Sequence, residues 1–261
     1  MWCAADGMQA PRASYFFDVM PINYEASKND TTKKVIGMPP EIHLSEVLRN
    51  SQPIKNYTQG MLRKLHNMAK YGRQVLSSPE TLVGHSINGP CVDWHLLVSD
   101  DSFPSTSSML CHLEETLRFV LQEWNDMPVA FIYKKKYEND ALPYDECLKV
   151  IKNLNINYVT IQEYIQYHQE NTNNVIVFDR ETNISSFEFP IVVGFYHFLD
   201  KIEFNYNIAS RARSKLVMIG CNNAVSIEEY KENFPDANYI ISNSNSYSLK
   251  RQRFNCGTWF H

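Results

Sequence analysis

Two arginines stand where the chain passes from an amphipathic stretch into an apolar one. Arg211 and Arg213 precede the run from Leu216 to Ile219, which has the composition of a buried strand. An arginine held at a helix–strand junction can present its guanidinium to a phosphate group, because the planar fork matches phosphate oxygens. The plainer interpretation is an exposed basic helix end beside a strand, and these residues alone leave both interpretations open.

Three further segments carry side chains of the types that contact nucleotides. Arg49 lies just before a predicted helix, and Glu188 lies just before an apolar run. Asp6 and Gln9 follow the apolar residues at the start of the chain. Each segment also has an ordinary interpretation: a surface arginine at a helix start, a turn glutamate before a buried strand, and a chance Asp-x-x-Gln.

The elements that would position these residues alternate along the chain. Continuous apolar strands between amphipathic helices predict an α/β fold with a mostly parallel sheet covered on both faces. Ser51 is the predicted N-cap of the first helix, with Pro53 in its first turn. Helices are predicted over 54–69, 109–124, 146–154 and in a short segment whose end carries Arg211, and strands over 41–44, 129–133, 158–161, 174–179, 189–194 and 216–219.

Two segments do not have the pattern of core elements. Residues 73–108 are rich in Ser, Pro, Gly and Asp, so they are interpreted as a loop or small hairpin insertion. The pairs Gly84-His85 and Gly89-Pro90 within it have no chemical role that the sequence assigns. Residues 222–261 are polar and become rich in Ser and Asn, so we expect a poorly ordered tail.

Composition restricts the class of protein. The six cysteines are scattered with no Cys-x-x-Cys pair, which indicates free thiols and an intracellular protein, cytoplasmic or nuclear. No apolar run approaches the ~20 residues of a membrane span, and the start has no secretory signal. The eight histidines show no ligand spacing, so no metal site is predicted. A net charge of −4 confines any nucleic-acid contact to a local patch.

Together the candidate segments resemble motifs III to VI of the superfamily-one (UvrD-like) helicases, in the family order. Ser185 and Ser186 stand where motif V usually has Lys-Gly, so the part of that motif that faces nucleic acid is not matched. The similar segments are Asp6-Gly7-Met8-Gln9 for motif III, Leu48-Arg49-Asn50 for motif IV, Phe187-Glu188-Phe189-Pro190 for motif V and Ser210-Arg211-Ala212-Arg213 for motif VI.

The resemblance implies a RecA-like α/β sandwich, the second motor half of such a helicase. Residues 1–20 would be a remnant of the first RecA-like domain, 41–221 the second domain with its insertion, and 222–261 the tail. Arg211 would be an arginine finger on the γ-phosphate of ATP and Arg49 a second phosphate contact. The other implied nucleotide contacts are Gln9 as γ-phosphate sensor, Glu188 on the ribose, and Asp6 and Arg213 nearby.

The parts that ATP hydrolysis also requires are missing from this sequence. No glycine is followed by lysine, so there is no Gly-Lys-Ser/Thr phosphate loop. The one Asp-Glu pair, Asp145-Glu146, opens a predicted helix and does not follow an apolar strand. ATP and Mg²⁺ are therefore expected only together with a first RecA-like half, from the same or another chain. Alone, the chain should neither bind ATP tightly nor hydrolyse it.

Two functions remain open from the sequence. In the first, the chain is a motor half acting on single-stranded or duplex nucleic acid, with DNA and RNA undistinguished. In the second, it is a non-catalytic RecA-like module that docks nucleic acid or protein, as in a schlafen-like or innate-immune multidomain protein. The serine pair of motif V and the acidic net charge favour the second.

Overall fold

The computed structural model divides the chain into two compact units, Met1–Ser45 and Glu46–His261. The structure describes residues 46–47, 50–69, 83–84, 88–99, 104–124, 127–133, 142–167, 175–184, 187–197, 202–222 and 224–244, all in the second unit. The predicted remnant 1–20, with Asp6 and Gln9, and the predicted strand 41–44 lie outside the described residues. Arg49 also lies outside them.

Seven parallel strands form the main sheet of the described chain, in the order β5-β6-β4-β7-β8-β3-β9. A separate parallel pair joins β1 (Glu46–Val47) to β2 (Val83–Gly84). The strands of the main sheet are β3 (Asp93–Val98), β4 (Val129–Tyr133), β5 (Tyr158–Val159), β6 (Ile176–Arg180), β7 (Phe189–His197), β8 (Ala212–Asn222) and β9 (Asn238–Asn243).

Helices connect most of these strands, as parallel pairing requires. Ser105 caps the second helix by accepting a hydrogen bond from the backbone N–H of Ser108 at 3.2 Å. The described helices are α1 (Gln52–Ala69), α2 (Thr106–Glu123), α3 (Tyr144–Asn153), α4 (Ile161–Tyr167), α5 (Glu181–Ile184), α6 (Ile202–Ala209) and α7 (Ala224–Asn233).

Helices pack on both faces of the sheet. On one face, Leu113 and Leu117 of α2 and Ile151 of α3 share a buried apolar cluster with strand residues such as Phe131 and Val217. Side chains alternate between the faces along a strand, so this cluster takes every second residue of β8. The predicted α/β fold, with a parallel sheet between two helical layers, is confirmed.

An aromatic group fills the opposite face. Trp94 of β3 donates from Nε1 to the hydroxyl of Tyr57 in α1 at 2.7 Å. The ring of Tyr230 in α7 meets Trp94 edge-on, with centroids 5.7 Å apart, and Phe234 stacks at a tilt beside Tyr230 at 4.5 Å. Burial of these rings, together with satisfaction of the indole N–H, ties α1 and α7 to the sheet.

The prediction of an insertion at 73–108 is wrong for part of that segment. β3 lies within it, is buried along its whole length and pairs with both β8 and β9. The start of α2 at Thr106 also falls inside the predicted insertion. Asp93 and His95 interrupt the apolar pattern of β3, but both side chains are buried in the sheet.

The prediction of a poorly ordered tail from 222 is wrong for residues 224–243. α7 buries Ile227 and Tyr230, and Phe234 is buried directly after its last residue; the spacing of three and four residues is that of one helix face. β9 then adds to the sheet beside β3. The domain that was predicted to end at 221 therefore continues at least to the end of β9.

Smaller differences concern element ends. The predicted strand 158–161 stops at Val159, and α4, which the pattern did not predict, begins at Ile161. The helix predicted to carry Arg211 ends at Ala209, so Arg211 lies in the turn that follows. The strand predicted over 129–133 has those bounds in the structure, and all five of its residues are buried.

Candidate functional site

The predicted site residues that the structure describes lie at the amino ends of two neighbouring strands. Glu188 immediately precedes β7, and Arg211 immediately precedes β8. The backbone N–H of Phe189 donates to the carbonyl of Arg211 at 2.9 Å, and Phe189 is the register partner of Ala212. The structure therefore brings Glu188, Arg211 and Arg213 together, although they come from two separate motifs.

A tight turn places Arg211 at the start of β8. The N–H of Ser210 donates to the carbonyl of Tyr206 at 2.9 Å, and the N–H of Arg211 donates to that of Ile208 at 3.0 Å. The hydroxyl of Ser210 also donates to the carbonyl of Asn207 at 3.0 Å, so three carbonyls of the last turn of α6 have partners. Arg211 is only 6% exposed, and its guanidinium is always charged.

Arg213 differs from Arg211 in exposure and in its partner. Its side chain is 58% exposed, and Nε lies 3.3 Å from Oε2 of Glu188, whose side chain is 18% exposed. Solvent screens such a pair, which contributes ~0–1 kcal/mol to stability. The glutamate to which the motif assigns a ribose contact is therefore paired with an arginine, through an interaction that a ligand could displace at low cost.

The segment after Arg49 contacts the same stretch of β8. Nδ2 of Asn50 donates to the carbonyl of Ala212 at 2.5 Å, across 162 positions of sequence. The N–H of Ser51 donates to the carbonyl of Arg213 at 2.7 Å, and the Ser51 hydroxyl donates to that of Ser214 at 3.3 Å. The N–H of Lys55 bonds the Ser51 carbonyl at 2.9 Å, as expected if Ser51 is the N-cap residue.

A buried ion pair joins β8 to β3 on the α2 face. Nζ of Lys215 lies 2.6 Å from Oδ2 of Asp93 and donates to the carbonyl of Cys91 at 2.9 Å. Nδ2 of Asn238 in β9 donates to the other carboxylate oxygen of Asp93 at 2.9 Å. Both charges are thus hydrogen-bonded as well as paired, which burial of charge requires.

Two histidines beside this ion pair are held neutral. Burial lowers the pKa of His95 to about 4; Asp93 opposes that shift and Lys215 adds to it. Burial also lowers the pKa of His112 in α2 to about 3, with a smaller contribution from His95. Because the charged form of each ring is disfavoured, these residues act here as buried polar packing and not as cations.

The carboxyl ends of β4 and β6 form a second polar cluster. The carboxylate of Asp179 accepts hydrogen bonds from the N–H of Ile161 at 3.1 Å, the N–H of Arg180 at 2.7 Å and Nδ2 of Asn183 at 2.7 Å. The guanidinium carbon of Arg180 lies 5.1 Å from the centre of the Tyr144 ring. These groups cap α4, hold α5 and cover an aromatic ring.

Sequence reasoning missed the supporting residues of the site. It treated Ser51 as a helix cap alone, and it assigned no role to Asn50, Lys215 or Asp93. All three contacts of the Asn50–Ser51 segment with β8 reach more than 160 positions along the chain, and no local pattern signals them. The one available signal was Lys215 at the start of an apolar strand, where a buried lysine requires an acidic partner.

No group of three or more His, Cys, Asp or Glu side chains among the described residues could hold a metal ion. Within those same ranges, no helix is long and apolar enough to cross a membrane.

Comparison with known proteins gives distant structural similarities only. No family profile matches the chain, and no curated protein matches its sequence. A solved C-terminal domain of a possible DNA helicase from Lactobacillus plantarum WCFS1 is similar over 74% of this chain and 98% of its own, at 16% identity and a TM-score of 0.43. The C-terminal part of the Fun30 ATPase domain is similar over 97% and 96%, at 11% identity and a TM-score of 0.32. Similarities this low transfer no function.

Proposed function

We propose that this chain is the second motor half of a UvrD-like helicase or NTPase, and that it completes an ATP site formed with a first RecA-like half. The observation that carries the proposal is convergence at one end of the sheet. Glu188 and Arg211 are joined through the Phe189–Arg211 backbone bond, and Asn50, which follows Arg49, bonds Ala212. Segments that resemble three separate motifs thus meet at one end of the sheet, which supports the proposal.

Arg211 would act on the phosphoryl group that is transferred. A guanidinium close to the γ-phosphate stabilises the charge of the transition state and is worth ~10³-fold or more in rate. Burial restricts the motion of the Arg211 side chain, so little conformational entropy is lost when it binds. Arg49 would be the second phosphate contact, and Gln9 would sense the γ-phosphate.

Glu188 would bind the ribose once its pairing with Arg213 is exchanged for the nucleotide. The pair is partly exposed, so the loss of the ion pair itself costs ~1 kcal/mol or less. Arg213, already held beside Glu188, would stay at the edge of the site and contact the nucleotide or the neighbouring domain. Asp6 would support Gln9.

The first half would supply the phosphate loop and the magnesium carboxylates. This sequence has no Gly-Lys pair, and the described residues offer no cluster that fits Mg²⁺. The site also lies at the amino ends of the strands, whereas α/β domains bind their own nucleotides beyond the carboxyl ends. A domain that adds residues to a neighbour's site is free of that restriction. Nucleic acid, DNA or RNA, would be the polymer on which the assembled motor acts.

A specific observation favours the second candidate, a non-catalytic docking module. Arg211 is buried and Glu188 is already paired, so in the isolated chain neither presents a free charge to a ligand. In such a module, both residues would serve the fold, and the chain would bind nucleic acid or protein without turnover.

Complementation separates the two candidates. The purified chain would be mixed with a phosphate-loop-bearing first half of a UvrD-like helicase that lacks its own second half, and steady-state ATPase would be measured with and without single-stranded DNA or RNA. The motor proposal predicts no turnover from either half alone and turnover from the mixture. A mixture that binds but stays inactive would favour the docking module.

A further inference from the structure

The backbone at the start of β8 is held by hydrogen bonds from other parts of the chain. Four consecutive carbonyls, from Arg211 to Ser214, each accept a hydrogen bond from another part of the chain. The N–H of Phe189 donates to the first of these carbonyls. Asn50 and Ser51 donate to the other three, and we name this two-residue segment the clasp. Two clasp residues thus fix the backbone that carries both arginines.

The geometry of the sheet explains why a clasp is needed there. The β7–β8 ladder shifts register between Phe189/Ala212 and Ile191/Lys215, so β8 has one extra residue at this point. Such a bulge leaves backbone groups outside the ladder and changes the direction of the side chains. On its other side, β8 pairs with β3 only from Val217 onward. The clasp supplies partners for carbonyls that neither strand reaches.

Gly89 packs directly on the clasp. A Cβ placed on Gly89 would lie 2.7 Å from Cβ and 2.8 Å from Oγ of Ser51, closer than such atoms approach. Any larger residue at this position would therefore displace Ser51 from Arg213 and Ser214. This gives a structural reason for a glycine in a segment to which the sequence assigned no chemical role.

We propose that Asn50 and Ser51, backed by Gly89, are positioning residues for the ATP chemistry of Arg211. This inference rests on the proposed function. An arginine finger must be held to within a fraction of an ångström, since a displacement of about 1 Å at a catalytic group can cost ~10²-fold in rate. The clasp meets that requirement by fixing the Arg211–Ser214 backbone. It directly follows Arg49, so it also joins the segments of the two arginines that would contact phosphate.

The test uses the full chain mixed with the phosphate-loop-bearing first half. Asn50→Asp keeps the size of the side chain but removes the donor to Ala212, and Gly89→Ala displaces Ser51 by a second route. Both variants should lower kcat about 10-fold or more while KM changes less than about 3-fold, because positioning acts mainly in the transition state. Gln52→Ala is the matched control, since Gln52 bonds only Asn56 within α1 among the described contacts, and it should keep the wild-type kcat.

Hydrogen exchange shows whether the clasp itself has opened. In Asn50→Asp and Gly89→Ala, the Ser51 amide, which bonds the Arg213 carbonyl, should exchange faster, while thermal unfolding stays cooperative. Faster exchange at Ser51 with an unchanged kcat in both variants would overturn the positioning role. A wild-type mixture without Arg211-dependent ATPase would instead overturn the proposed function and this role with it. The two failures are therefore distinguishable.

Discussion

The two ends of the sheet use their charged residues differently. At the carboxyl ends of β4 and β6, Asp179 accepts three hydrogen bonds from nearby backbone and amide groups, and Arg180 covers Tyr144. At the amino ends of β7 and β8, arginines gather on a backbone held by a segment distant in sequence. One cluster completes local structure, whereas the other fixes the backbone that carries two arginines.

The candidate site lies at the end of the sheet opposite to the usual ligand site of α/β domains. The carboxyl end is the usual ligand site of an α/β sheet, yet here its described polar groups cap helices. The amino end has a bulge, a feature that is over-represented next to active sites, together with a buried arginine and a partly exposed ion pair. We therefore expect variants at the carboxyl end to lower the free energy of unfolding without changing kcat. Variants at the amino end should also change kcat in the complementation assay.

The largest effect on stability should come from the buried ion pair at the amino end. Lys215→Met leaves the Asp93 carboxylate buried without its cation, so we expect the free energy of unfolding to fall by about 3–5 kcal/mol. The measurement is urea denaturation at neutral pH. The double variant Asp93→Asn/Lys215→Met has no charge left to bury and should recover at least half of the loss. Equal losses in the single and double variants would show that the ion pair is not what stabilises this region.

A smaller effect is expected at the carboxyl end. Asp179→Ala removes the acceptor of three hydrogen bonds, two of them from backbone N–H groups at the starts of α4 and α5, and should cost about 2 kcal/mol. In the complementation assay, the folded fraction of this variant should keep the wild-type kcat. A kcat that falls well beyond the loss of folded protein would break the distinction between the two ends.

The smallest effect is a loss of stability at mildly acidic pH, which comes from the two buried histidines beside the ion pair. The pKa values of His95 and His112 are lowered in the folded chain, so the unfolded chain takes up protons first as pH falls through about 6.5. The stability that the two neutral histidines contribute is therefore fully present above that pH, and it is lost progressively as the pH falls below it. From about pH 7 to about pH 6, the free energy of unfolding should drop by about 1 kcal/mol. The drop should shrink in His95→Gln/His112→Gln, and an unchanged pH slope in that variant would exclude these histidines as its cause.

The sequence predicted those elements whose own residues show the full apolar pattern of a buried strand or helix. Residues 129–133 are uniformly apolar and buried, so the strand was predicted with its observed bounds. β3 was missed because Asp93 and His95 make it look polar, and only the distant Lys215 and Asn238 explain how Asp93 is buried. α7 was missed because Ile227, Tyr230 and Phe234 are widely spaced in a polar segment, although their spacing is helical.

The candidate site was predictable only where a short local motif marks its residues. Motif resemblance selected Glu188, Arg211 and Arg213, and the fold places these three near one another, but their roles toward a nucleotide stay predictions. The clasp depends on contacts across more than 160 positions, so no window of sequence could indicate it. The assignments of Asp6, Gln9 and Arg49 stay predictions.

The most direct test of the central claim is the effect of Arg211→Lys on ATPase in the complemented mixture, with Ser214→Ala beside it. Lysine keeps the charge but lacks the planar fork, so kcat should fall by about 10²-fold or more while nucleotide affinity changes much less. Ser214 contributes only its backbone carbonyl to the described contacts, so Ser214→Ala should keep the wild-type kcat. Small, equal effects from both variants would contradict the finger role and favour the docking module.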